Sequence, residues 1–305
     1  MIPYSELRES PRIELADQIP LDRPLTVFIE PTNICNLHCH FCSHALNNYK
    51  ERAGYHQHMP IELFRRLIEE VRGMSLKSLK LYFFGEPMLH PNLGEICSLA
   101  VSACERVELT TNGMLITPVK SQQMIDAGLH YLRVSYYSDI PRPASVVENI
   151  RMLRKMRDDQ GKSLPFICVK TFTRQDAERI APDYAGIADE VIHDGLHSMG
   201  SDLVLIKPNT GNQKACPYPF YTLVVKSNGD VVPCCVAWEQ SLVYGNVNDN
   251  TIQEIWQGER LREIQRMHLA GRAGELAACR HCDTIYFSPD NVDSLTVEEF
   301  DRRRM

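Results

Sequence analysis

The sequence predicts an α/β protein, a partial barrel of βα units followed by a smaller, loop-rich domain built on a β-hairpin. From Leu25 onward, short apolar runs alternate with segments of helical periodicity, the pattern of right-handed βαβ units around a parallel sheet. Five or six such units fit before about residue 207, too few for an eight-fold barrel. After Pro208 the alternation stops and a hairpin pattern replaces it. A chain of 305 residues also suits two domains, each large enough to bury a core.

Residues 1–24 carry four prolines among charges and read as an irregular arm over the surface. Leu25–Glu30 is the first predicted strand. Pro60–Arg72 places Ile61, Phe64, Leu67, Ile68 and Val71 on one face of a helix that opens on proline. A second strand is expected over Leu79–Phe84 and a helix over Leu93–Cys104. Val107–Thr111, Tyr131–Tyr136 and Phe166–Thr171 continue the strands, with helices near 118–127, 145–158 and 176–187, and Glu190–His193 makes a sixth. This barrel spans 25–207. In 208–305, Tyr221–Lys226 and Val231–Val236 flank Asn228-Gly229, the turn of a hairpin. Two short helices follow near 251–257 and 259–269, then a cysteine pair and, from Asp283, a polar tail expected to cap the surface.

Composition narrows the function. A net charge of −6 offers no footprint for nucleic acid. No apolar run approaches the ~20 residues of a membrane span, and the N-terminus lacks the basic-then-apolar order of a signal peptide. The expected location is therefore the cytoplasm. There, eleven cysteines serve as metal ligands or in chemistry rather than as disulfide staples.

The strongest motif is Cys35-Asn-Leu-His-Cys39-His-Phe-Cys42, directly after the first strand. Three soft thiolates on one loop can hold a [4Fe–4S] cube and leave its fourth iron open to a small molecule. The competing reading is a zinc knuckle that borrows His38, His40 or His44, in the extreme a non-catalytic adaptor; the four-residue first step is unusual for zinc. A second set, Cys216, Cys234, Cys279 and Cys282, joins two separated pairs, because the turn at Gly229 folds Cys216 and Cys234 together. Spacing alone suits a tetrahedral zinc or a fully ligated iron–sulfur cluster equally.

The Cys-x3-Cys-x-aromatic-Cys loop resembles the signature of radical S-adenosylmethionine (SAM) enzymes. The resemblance implies a (β/α)6 partial barrel, SAM chelated at the open iron, and a 5′-deoxyadenosyl radical that abstracts a substrate hydrogen. It carries Phe41 to the adenine contact. Gly85-Glu86-Pro87 matches the motif that receives the SAM amino group, with Phe84 in place of its first glycine. Asn112 and Ser135 match polar positions facing ribose or carboxylate; Asn112-Gly113 is equally an ordinary turn. Cys216-x12-Gly229-x4-Cys234 with Cys279-x2-Cys282 resembles the SPASM/twitch extension, in the form with one auxiliary [4Fe–4S] cluster.

The two clusters and SAM imply a reduced flavodoxin or ferredoxin as electron donor, and a small molecule or peptide as substrate. The expected reaction is oxidation of a sugar or aminocyclitol carbinol, with the auxiliary cluster taking the electron. The alternative is epimerisation of a sugar or peptide, with Cys235 as hydrogen-atom donor, since adjacent residues of a strand face opposite ways. Cys97, Cys104 and Cys168 read as core thiols. His56, His58, His193 and His197 form no metal pair, and His193, His197 and Asp194 are unranked proton acceptors.

Overall fold

The computed structural model describes residues 2–9, 14–138, 145–194, 214–280, 282, 284–287 and 290–303. Six parallel strands form its centre: β1 (Thr26–Ile29), β2 (Ser78–Lys80), β3 (Val107–Thr111), β4 (Tyr131–Ser135), β5 (Phe166–Thr171) and β6 (Glu190–His193). They lie in the order 6-5-4-3-2-1, the open sheet of a partial barrel. On the far side of β1 comes β7 (Thr222–Val225), parallel to it, then antiparallel β8 (Asp230–Val232) and β9 (Gly245–Asn246). The hairpin thus extends the barrel sheet, with Val27 beside Leu223 and Ile29 beside Val225. Its turn falls where expected but is one residue wider than an Asn-Gly pair: the Gly229 N–H donates to the Lys226 carbonyl at 2.9 Å, which puts Ser227 and Asn228 at the centre, and Gly229 follows with φ +93°.

In chain order the helices are α1 (Tyr4–Glu9), α2 (Leu15–Gln18), α3 (Tyr49–Ala53), α4 (Ile61–Arg72), α5 (Leu93–Ala103), α6 (Pro118–Ala127), α7 (Ser145–Asp159), α8 (Arg174–Tyr184), α9 (Tyr218–Tyr221), α10 (Ile252–Trp256), α11 (Glu259–Leu269) and α12 (Val297–Arg302). The main core lies between the outer face of the sheet and the helices of the βα units. On α4 it takes Leu63 rather than Ile61, which stays half-buried. Among the described residues no helix is long and apolar enough to cross a membrane.

Several expected elements change shape. The arm is not irregular: α1 runs under the barrel, where the Tyr4 and Ser5 amides donate to the Glu190 carboxylate at 2.9 and 3.1 Å. The tail is not merely polar. Phe300 and Val292 are fully buried and pack with Leu15 and Ile19 of the arm and with Phe220 of α9. β2 ends at Lys80, four residues early, because the chain must turn to lay Gly85 on the first loop. A Cβ there would stand 1.9 Å from the Thr32 carbonyl oxygen. α8 starts two residues early, where the Thr173 hydroxyl accepts from the Asp176 amide. The boundary expected near 207 and His197 lie outside the described residues.

Candidate active site

The site is assembled where β1, β2 and β7 end. Glu30, fully buried at the end of β1, accepts from the Tyr55 hydroxyl at 2.7 Å and from the Ser227 amide at 3.0 Å. Burial pushes this carboxyl above its usual range, while those hydrogen bonds and Lys226 pull the other way. One side chain thus ties the first strand, the α3 loop and the hairpin turn together. Asn33 continues the clamp, donating from Nδ2 to the Tyr55 carbonyl at 2.7 Å and accepting from the Gln57 amide at 2.8 Å.

From this clamp the cysteine loop departs. Cys35, Cys39 and Cys42 line one cavity of about 490 Å³. The Cys42 amide donates to the Cys39 carbonyl at 2.8 Å, and the Leu37 amide points at Cys35 Sγ at 3.5 Å. Burial pushes the Cys35 thiol up to about 11 and raises that of Cys42. Such thiols ionise near neutral pH only with a cation beside them, which suits a metal cluster. The His38 ring nitrogen Nδ1 lies 2.9 Å from the His44 carbonyl, so it closes the loop on itself.

Phe41, Gly85, Glu86, Asn112 and Ser135 all line the same cavity. Phe41 packs on Tyr137 with ring centroids 4.3 Å apart, and Tyr137 stacks on Phe172 at 4.6 Å. Glu86 Oε1 accepts from the Met88 amide and the Thr111 hydroxyl, and Oε2 from the Asn112 amide at 2.8 Å. Its oxygens therefore also organise the end of β3. Asn112 makes its own turn by accepting from the Met114 amide, and it donates to Asn36 Oδ1 inside the cysteine loop at 2.8 Å. Pro87 is buried and starts the short turn that Glu86 caps.

The floor of the cavity is charged, and of its residues only Asp194 is a candidate from the sequence. Lys80, Glu108, Arg133 and Lys170 come from four neighbouring strands, and Asp194 follows β6. Arg133 lies 3.5 Å from Glu108 and 3.4 Å from Asp194, while Lys170 reaches Asp194 at 3.0 Å. The Tyr4 ring underlies Arg133 at 4.3 Å. Burial, then the charge of Arg133, drives the Lys170 amine down to about 8. Among the described residues Arg133 Nε and Thr222 Oγ1 are buried without hydrogen-bond partners, and Glu108 Oε2 lies between two cations, 3.5 Å from Arg133 and 3.8 Å from Lys80. Cys168 is fully buried as expected, but beside this charged layer rather than among apolar groups. His193 is exposed.

The second ligand set occupies its own small cavity, lined by Cys216, Cys234, Cys279 and Cys282. Among the described residues none of the four is in a disulfide. Burial raises those of Cys216, Cys234 and Cys279, and the neighbouring thiols raise them further. The four side chains line one largely apolar pocket and are the residues that would hold a fully ligated cluster. Beyond β8 the chain turns, and Cys234 and Cys235 diverge. Cys234 faces the four-cysteine cavity, whereas Cys235 lines the large one with Cys35, Cys39 and Cys42. Tyr218 and Val236 form the shared wall.

The fold and these cysteine sets define a class. Residues 29–181 match the model of the radical SAM superfamily, and residues 216–283 that of the SPASM iron-sulfur cluster-binding domain. The chain belongs to the radical SAM superfamily. It is an enzyme that uses SAM and iron–sulfur clusters, and the zinc readings fall. It is 22% identical to the S-adenosyl-L-methionine-dependent 2-deoxy-scyllo-inosamine dehydrogenase of Niallia circulans, across 90% of this chain and 95% of that one. A PqqA peptide cyclase of Xanthomonas campestris pv. campestris is 24% identical across 85% and 79% of the two chains. Among solved structures, BtrN in complex with AdoMet and 2-DOIA shares the fold with TM-score 0.62 at 20% identity, covering 85% of this chain and 92% of that one. SuiB of Streptococcus suis bound to precursor peptide SuiA gives TM-score 0.56 at 15% identity, over 90% and 72%.

Proposed function

We propose that the chain is a radical SAM dehydrogenase that oxidises a carbinol of a sugar- or aminocyclitol-type small molecule. A reduced flavodoxin or ferredoxin feeds the first cluster, and the auxiliary cluster accepts the substrate electron. One observation carries the reading: a single cavity is walled by the Cys35–Cys42 loop on one side and by the auxiliary wall on another, with a charged floor between. The near full-length likeness to a scyllo-inosamine dehydrogenase supports it.

Bound at the Cys35–Cys39–Cys42 loop, SAM and its cluster supply the 5′-deoxyadenosyl radical that takes a hydrogen atom from substrate. The remaining work belongs to the floor. Arg133 and Glu108 both line the cavity and bring to it the donor and acceptor chemistry that would orient a substrate hydroxyl. Lys170 is the proton acceptor. It pairs in register with Ser135 on the neighbouring strand, and its charge acts on Cys235 across the cavity. The carbinol carbon gives up a hydrogen atom and its hydroxyl passes a proton to the neutral Lys170 amine. The auxiliary cluster that Cys216, Cys234, Cys279 and Cys282 would hold would supply the acceptor for the remaining electron, so that a C–O single bond becomes a carbonyl.

The position of Cys235 favours a second reading, epimerisation of a sugar or peptide. Burial pushes this thiol up to about 11, so it keeps the S–H that a hydrogen-atom donor needs. Anaerobic turnover in heavy water over a panel of aminocyclitols, aminoglycosides and peptides separates the two. A product short of two hydrogens establishes dehydrogenation. A product of unchanged formula carrying one deuterium, lost in Cys235→Ala, establishes epimerisation.

A further inference from the structure

A buried histidine faces the auxiliary ligand set. His268, on α11, is 2% exposed and lines the small cavity with the four cysteines. Its Nε2 stands 3.8 Å from Cys279 Sγ, within reach of a hydrogen bond to sulfur. Its Nδ1 is buried and has no hydrogen-bond partner among the described residues. These two surroundings select the tautomer. A proton on Nδ1 would be a buried donor with no acceptor, whereas a proton on Nε2 points at the cysteine sulfur. One turn earlier on α11, Gln265 donates from Nε2 to the Pro219 carbonyl at 2.9 Å. That bond fastens α11 to α9, the helix just after Cys216, and so holds the ring against the ligand set.

We infer that His268 donates a hydrogen bond from Nε2 to the thiolate of Cys279 and thereby raises the reduction potential of the auxiliary cluster. Four cysteines already complete a ligand set, so the imidazole acts through Cys279 as a positioning residue. A hydrogen bond to a cluster sulfur withdraws electron density and favours the more negative, reduced state. An acceptor raised in this way takes electrons more readily. The inference rests on the ligand set and holds whichever substrate the barrel takes.

The test is an EPR-monitored redox titration of the anaerobically reconstituted full chain, beside His268→Leu and His268→Gln. The SAM-binding cluster is recognised by its response to SAM, which leaves the auxiliary signal to be followed. Leucine, with no donor, is expected to shift the auxiliary midpoint to a more negative value at unchanged iron content. Glutamine, which keeps an N–H, is expected to restore part of the shift. If leucine costs the cluster outright, a glutamine variant with near wild-type iron and potential supports the bond. An intact leucine variant with an unchanged midpoint overturns the inference. So does loss of auxiliary iron in both variants, or a nitrogen hyperfine coupling in the wild type strong enough for direct iron ligation.

Discussion

Lys170 occupies the position where the chemistry and the electrostatics of the barrel meet. Asp194 holds its amine from the end of β6, while Arg133 on β4 and Lys80 on β2 repel its charge and Glu108 on β3 balances them. The Cys235 thiol faces it from the hairpin side. Because the amine is driven down to about 8, its neutral, proton-accepting form grows as pH rises through that value. Product formation with saturating SAM is therefore expected to climb through about pH 8 and level off above it. Lys170→Met should cost about a hundredfold or more in product, the worth of a general base, while 5′-deoxyadenosine still forms. Lys170→Arg should lose the pH limb, because guanidinium does not give up its proton. Asp194→Asn, which removes the charge that favours the ammonium, should move the limb to lower pH. A pH profile untouched by all three would remove Lys170 from the reaction. Cys35, Cys39 and Cys42 could be read from the chain because they share one short loop, and the second set because the turn at Gly229 and the Cys279-x2-Cys282 spacing mark its two pairs. The charged floor could not, since each of its residues sits on a different strand and only the sheet register brings them together.

At the scale of elements, the ends of the chain hold the auxiliary region in place. Phe300 of α12 is fully buried and meets Phe220 of α9 edge-on at 5.9 Å. Phe300→Ala should cost about 3 kcal/mol, typical of a buried aromatic truncation, read by denaturant unfolding of the reconstituted protein. Phe300→Leu should cost clearly less. Gly85→Ala should be similarly damaging, because the new methyl group meets the Thr32 carbonyl and forces the Gly-Glu-Pro segment off the cysteine loop. Its signature is a lower melting temperature together with weaker SAM binding. The βα elements were legible because helix and strand periods differ sharply. α12 had a legible signal that the polar tail masked: Thr296 and Glu299 form a capping box, the Ser/Thr-x-x-Glu pattern of a helix start. The early end of β2 had none, as it depends on the backbone of Thr32 lying against Gly85.

Across the whole molecule, one sheet joins the two ligand sets. β1 carries the cysteine loop at its end and pairs with β2 on one side and β7 on the other. The hairpin that brings Cys216 and Cys234 together is therefore registered directly against the strand that launches Cys35, Cys39 and Cys42. Divergence of Cys234 and Cys235 then gives one residue to each cavity. Alternation along a strand made that split legible in the sequence, although the turn after β8, not a strand, produces it. The proposed chemistry needs two separate iron–sulfur sites flanking one substrate cavity. The most direct test is iron and sulfide analysis with EPR on the anaerobically reconstituted chain, compared with its Cys35→Ala/Cys39→Ala/Cys42→Ala variant. Two four-iron clusters predict about eight irons in the wild type and about four in the variant, with the surviving signal indifferent to SAM. A variant stripped of all iron, or one whose remaining cluster still responds to SAM, would rule out two independent sites.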